Sequence, residues 1–138
     1  MTAVSIDRIH RSYQQMAPHA ERLTTTFYER LFRSSPGTRQ LFTGDMAAQG
    51  RHLAAALALV VRNAGRLDTL EQPLRDLGAA HALVGVLPPH YPVVCDAMLA
   101  ALADALADAW SDELAADWRA LLEVVSGHML AGARDAIA

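Results

Sequence analysis

The chain is predicted to be an all-α domain of about seven helices. Two features point to this. Apolar residues recur at helical spacing between breakers, with Ala and Leu dominating the long stretches. Val and Ile never alternate strictly with polar residues, so no strand pattern competes. At 138 residues and 52% hydrophobic content, one domain with a packed core is expected over residues 1–138.

The elements follow in order. Ser5 caps a first helix with Asp7 in its first turn, running to about Ala17. Pro18 starts or bends a second helix that continues to about Phe32, with Leu23, Phe27, Tyr28, Leu31 and Phe32 on its apolar side. Ser34-Ser35-Pro36-Gly37 is a turn, and Pro36 opens a short helix ending near Phe42. Asp45 caps a helix from Met46 to about Asn63, closed by Arg62-Asn63-Ala64-Gly65. Thr69 to Gln72 fits a capping box, with Pro73 in the tolerated first turn of the next helix. Pro88, Pro89 and Pro92 mark the start of a long helix with Tyr91, Val94, Cys95, Met98, Leu102 and Leu106 inward. Ser111-Asp112-Glu113 caps a last helix whose stripe carries Leu114, Trp118, Leu121, Leu122, Val125 and Met129. Two short segments among several long ones do not suit a plain four-helix bundle. They suit helices crossing at steep angles around a pocket.

Two stripes carry chemistry. Leu70, Leu74 and Leu77 lead to His81, which is followed at once by the break Gly85-Val86-Leu87-Pro88-Pro89. Met46, Leu53, Leu57 and Val60 share their face with one polar residue, Gln49. A ligating imidazole on one buried face, opposed by a hydrogen-bonding amide on another, is what a haem-gas pocket needs. A lone His on an apolar face is otherwise an ordinary core residue, Gln49 a solvent-edge residue, and Tyr28 a core phenol bonded to backbone.

Composition excludes several classes. The net charge is −3, from 12 basic and 15 acidic residues, and every basic residue is Arg, spread along the chain. No basic stripe suggests nucleic acid. No apolar run approaches the roughly 18 residues of a membrane helix. The N-terminus lacks a signal-peptide pattern, and Cys95 stands alone, so a reducing, cytoplasmic setting is expected. The six histidines show no zinc spacing, and no phosphate loop or nucleophile arrangement is present. Nothing specifies an oligomeric state.

The pieces Phe27-Tyr28-Glu29-Arg30-Leu31-Phe32, Pro36 to Phe42, Gln49-Gly50-Arg51-His52-Leu53, and His81 through Val86 with His90-Tyr91-Pro92 resemble bacterial single-domain globins related to the globin domain of flavohaemoglobins. The resemblance covers nearly the whole chain in helix order. It implies a globin fold holding haem b, that is, protoporphyrin IX iron, with His81 as proximal ligand. Tyr28, Gln49 and Leu53 would form the distal trio, with Tyr28 and Gln49 carrying any catalysis, and Phe42 would wedge against the porphyrin. Val86, Tyr91, Val94 and Met98 would line the proximal side and ring edge, and Leu57 and Leu77 would also touch the cofactor. His52 would contact a propionate or solvent at the rim; the alternative is that it swings in as a sixth ligand in the ferric state.

The implied function is reversible binding of oxygen, nitric oxide or other small ligands, with nitric oxide detoxification by an external reductase. Haem-based sensing or redox work through a partner, and a haem-free interaction module, are the competing readings. One departure stands out. Flavohaemoglobin-type globins place a Glu on the last helix that works with the tyrosine near the proximal His. Here no Glu follows Glu123, and Asp135 is the only later acid. That weakens the expected electron push on the iron, and with it peroxidase-like or fast dioxygenase chemistry, but not simple ligand binding.

Overall fold

The structure is a computed structural model and describes residues 4–137. Among them are six α-helices: α1 (Ile6–Met16), α2 (Ala20–Ser34), α3 (Met46–Arg62), α4 (Glu71–Leu83), α5 (His90–Leu106) and α6 (Asp112–Ile137). Short 3₁₀ turns span Ala17–His19, Pro36–Leu41, Leu67–Leu70 and Ala107–Ala109. The expected seventh helix is therefore the 3₁₀ segment at Pro36. Pro18 sits in a 3₁₀ turn, and α2 begins two residues later. No described helix is long and apolar enough to cross a membrane.

Helix starts follow side-chain chemistry at three of the expected places. Ser5 Oγ accepts from Arg8 N at 3.2 Å, Asp45 Oδ1 from Ala47 N at 3.0 Å, and Ser111 Oγ from Leu114 N at 3.1 Å. The capping box expected at Thr69–Gln72 does not form. The Leu67–Leu70 turn runs straight into α4, so Thr69 Oγ1 donates back to the Arg66 carbonyl at 2.8 Å. The Gln72 amide donates instead to Asp76 Oδ1 at 2.8 Å.

The core joins all six helices. Ile9, Met16, Leu23, Phe27, Leu31, Leu57, Val60, Met98, Leu102, Trp118 and Leu121 are buried in one cluster. α2 packs on α5 and α3, whereas α4 packs chiefly on α6. Cys95 is a buried small hydrophobe, and burial pushes its thiol up.

α1 is clasped to α6 by polar groups that the sequence pattern did not single out. The fully buried Trp118 donates through Nε1 to Ser12 Oγ at 3.0 Å, and Ser12 Oγ donates to the Ile9 carbonyl at 2.9 Å. Asp117, 3% exposed, accepts from Arg8 Nε at 2.6 Å and from Ser5 N at 3.1 Å. Burial pushes the Asp117 carboxyl up, but the Arg8 and Ser5 donors outweigh it and hold it below the usual carboxylate range. A depressed folded value stabilises the fold at pH above the unfolded carboxylate's range, and that contribution is lost as pH falls through the folded value. Asp117→Asn should therefore cost about 2 to 3 kcal/mol at neutral pH, below the full value of a broken buried pair because Arg8 is partly exposed. Urea unfolding should show the gap to wild type narrowing on acidification.

Candidate functional site

The crossing of α2 and α3 builds one wall. A Cβ on Gly50 would stand 3.1 Å from Thr24 Oγ1, so glycine lets α3 lie close on α2 at this point. One turn further along α2, the Tyr28 hydroxyl donates to the backbone carbonyl of Gln49 at 3.4 Å. That is long for an O–H···O bond, so the hydroxyl is only weakly held. Burial pushes the Tyr28 phenol up, which keeps it a protonated donor.

Aromatic rings fix this phenol. Tyr28 lies edge-on to Phe27 with centroids 4.9 Å apart and to Phe42 at 5.3 Å, and stacks with Phe32 at 5.9 Å. Arg39 ties the loop down from outside. Its guanidinium sits 5.4 Å from the Phe32 ring centroid and donates to the Phe42 carbonyl at 2.8 Å. Asp45, by capping α3, sets Gln49 in that helix's first turns, where it is half-buried. Leu53 packs against the core, Leu57 and Met98 are buried within it, and His52 is exposed.

The second wall is α4 and the corner that follows. His81 Nδ1 lies 2.8 Å from the Leu77 carbonyl. A carbonyl can only accept, so Nδ1 is the donor; in the tautomer this selects, Nε2 is the nitrogen that offers a lone pair. The chain then turns sharply. Val84 N and Val86 N both donate to the His81 carbonyl, at 3.2 and 3.0 Å, and Gly85 takes φ +102°, which a side chain would resist. Leu87 N donates to His90 Nδ1 at 2.8 Å. His90 is thus engaged in starting α5, which gives it a local structural role.

Around His81 the surface is apolar. Leu77, Leu83, Val84, Leu87 and Val94 are all exposed, Leu83 at 79% and Leu87 at 58%. Leu77 and Val94 were expected to point inward with their stripes. Both are exposed, whereas Tyr91, expected inward on the same α5 stripe, is buried. The structure links Tyr28 to Gln49 and Phe42, with Leu53 packed on the same core, and links His81 to Leu77 and Val86 through hydrogen bonds. The Tyr91 hydroxyl is buried with no partner among the described residues, and burial pushes its phenol up. Solvent-open depressions beside Pro18, Arg22 and Glu29, and beside Thr26 and Asp104, touch none of these side chains.

The model of the family described as Globin matches residues 25–129, well over half of the chain. The chain is a globin. A rice protein (Oryza sativa subsp. indica) named anaerobic nitrite reductase NSHB5 is 32% identical to this globin over 78% of the chain and 79% of its own length. Flavohemoprotein A of Dictyostelium discoideum is also 32% identical, over 83% of the chain; the chain spans only 29% of that relative. Among solved structures, a bacterial globin from Campylobacter jejuni superposes with TM-score 0.81 at 20% identity, over 94% of each chain. An engineered carbene transferase, made from a nominal nitric oxide dioxygenase of Rhodothermus marinus, superposes with TM-score 0.86 at 23% identity, over 99% of this chain and 96% of its own.

Membership of the globin family implies haem, and the residues present fit it. No group of three or more His, Cys, Asp or Glu among the described residues could hold a bare metal ion. A porphyrin iron needs only one axial donor, because the tetrapyrrole supplies the equatorial four. The bare Nε2 of His81, hydrogen-bonded through its other nitrogen, has the form of such a donor. The exposed apolar side chains beside it would be covered by a flat hydrophobic ring. Two contributors escaped the sequence reading: the Leu77 carbonyl, which sets the tautomer, and Gly50, which sets the approach of Gln49. A single Gly inside the α3 stripe was the available signal for the latter.

Proposed function

We propose that this globin holds haem b through His81 and reversibly binds oxygen, nitric oxide or another small ligand beside Tyr28 and Gln49. The observation that carries the reading is the His81 Nδ1 contact to the Leu77 carbonyl, which leaves Nε2 free to act as an axial donor. Bound haem supplies the metal site for a diatomic ligand. The Tyr28 hydroxyl and Gln49 amide donate to the negative end of that ligand, and Leu53 keeps water from it. Val86, Tyr91, Val94 and Met98 seat the proximal side and ring edge, with Leu57, Leu77 and Phe42 against the ring. His52, exposed on α3, sits at the rim toward a propionate or solvent. Its removal should leave the ferric spectrum unchanged; a low-spin spectrum that vanishes in His52→Ala would make it a sixth ligand.

The reaction this site serves best is conversion of nitric oxide and dioxygen, with one electron, to nitrate. The electron comes from a reductase outside the described residues, in a reducing cytoplasmic setting. The likeness to flavohaemoproteins supports that division of labour. The test is to reconstitute with haemin, reduce, oxygenate and add nitric oxide. Rapid loss of the oxy spectrum with stoichiometric nitrate is the expected result. An oxy form indifferent to nitric oxide overturns the detoxification step and leaves transport, or sensing through a partner. A colourless protein that refuses haemin overturns the reading entirely.

A further inference from the structure

α4 and α6 meet backbone to backbone. A Cβ on Gly78 would overlap the Met129 carbonyl, and a Cβ on Gly132 would overlap the Arg75 carbonyl. The two contacts are reciprocal and antiparallel: each glycine lies three residues beyond the carbonyl its own helix presents to the other. The Arg75 guanidinium extends the same seam by pairing with Asp135, a further turn along α6. Helices this close leave no room for side chains between them.

The seam matters because little else locates α4. Among its residues only Leu74 and Gly78 are buried. His81 follows Gly78 by three positions, which sets it about 60° round the helix from the α6 contact. Any shift or tilt of α4 at the glycines therefore moves the imidazole with it. Asp135, the last acid of the chain, is held at the surface by Arg75, and the buried Tyr91 hydroxyl has no carboxylate beside it. His81 Nδ1 is left with a backbone carbonyl as its acceptor.

We propose that Gly78 and Gly132 are positioning residues for the axial imidazole. Their contact sets where α4 presents His81, whose Nδ1 lies against the Leu77 carbonyl. This rests on the haem reading above and deepens it: it names the helix–helix contact that sets the place of the proposed axial ligand.

The iron–histidine stretching band of the reduced, ligand-free holoprotein, read by resonance Raman, tests this. Wild type should show the low frequency of a carbonyl-bonded imidazole. Gly78→Ala and Gly132→Ala should shift or broaden that band and speed haem loss to an acceptor apoprotein at least tenfold. An Ile9→Val control in the α1–α6 clasp, destabilised without touching α4, should leave the band where it was. Arg75→Gln loosens the seam without a steric clash, and should move the band the same way by less, so the test survives if the alanine variants do not fold. A wild-type band in the range of a carboxylate-bonded histidine overturns the placement of Nδ1 against the Leu77 carbonyl. Variants that lose thermal stability but keep the wild-type band and haem-loss rate overturn the positioning role. A wild type that takes up no haem overturns the underlying reading, and this one with it.

Discussion

His81→Ala is expected to lose haem at least roughly a hundredfold faster than wild type, since even second-shell partners of metal ligands are worth 10- to 100-fold in affinity. The direction follows from the donor set. No cluster of ligating side chains among the described residues can replace Nε2; His90 has Nδ1 engaged by Leu87 N, and His52 is exposed on α3. The fold should tolerate the change. His81 is only half-buried, and the bond it loses is to its own helix at Leu77, a contribution of about 1 kcal/mol. Far-UV circular dichroism should therefore stay native while the Soret band of the reconstituted protein weakens. Free imidazole added to His81→Gly should restore it. If the alanine variant keeps haem with the same axial signature, the ligand lies on another helix.

Tyr28→Phe is expected to raise the dioxygen dissociation rate by roughly 10- to 100-fold. A hydrogen bond to a charge-bearing acceptor contributes about 1.5–3 kcal/mol, and about 1.4 kcal/mol is a factor of ten. Its present partner, the Gln49 carbonyl at 3.4 Å, competes weakly for the hydroxyl. Folding stability should hardly change, because the ring keeps its contacts to Phe27, Phe32 and Phe42. Because burial holds the phenol protonated above its ordinary range, the wild-type rate should be flat across neutral and mildly alkaline pH. Stopped-flow measurement of oxygen and carbon monoxide release provides the check, with carbon monoxide, the less polar ligand, affected less. An unchanged oxygen rate would remove Tyr28 from this role.

Much of this was legible from residue order because it depends on local chemistry. Ser5, Asp45 and Ser111 cap helices by bonding within three residues, so their sequence neighbourhood sufficed. The stripes of α2, α3 and α6 were read correctly because each has a face packed on other helices. The same reasoning failed for Leu77 and Val94. Helical periodicity says which side is apolar, not whether another helix covers it, and α4 and the start of α5 have an apolar side that no helix covers. The capping box failed because a 3₁₀ turn claimed Thr69 first. Gly78, Gly132 and Asp117 escaped because their partners lie far along the chain. An acid on the apolar stripe between Leu114 and Trp118 was the available clue to a buried ion pair. For the α4–α6 seam the clue was two isolated glycines in Ala-rich helices.

The clasp between α1 and α6 joins partners more than a hundred residues apart, Ser12 to Trp118 and Arg8 to Asp117. Closing a loop that long costs conformational entropy that only non-local contacts can offset. During synthesis α1 emerges more than a hundred residues before the α6 side chains it docks on. Ile9 and Met16, both buried in the folded molecule, lack their final cover until α6 has been made. The nascent protein thus carries an uncovered amphipathic segment until Trp118 leaves the ribosome, which makes that interval the one most exposed to aggregation.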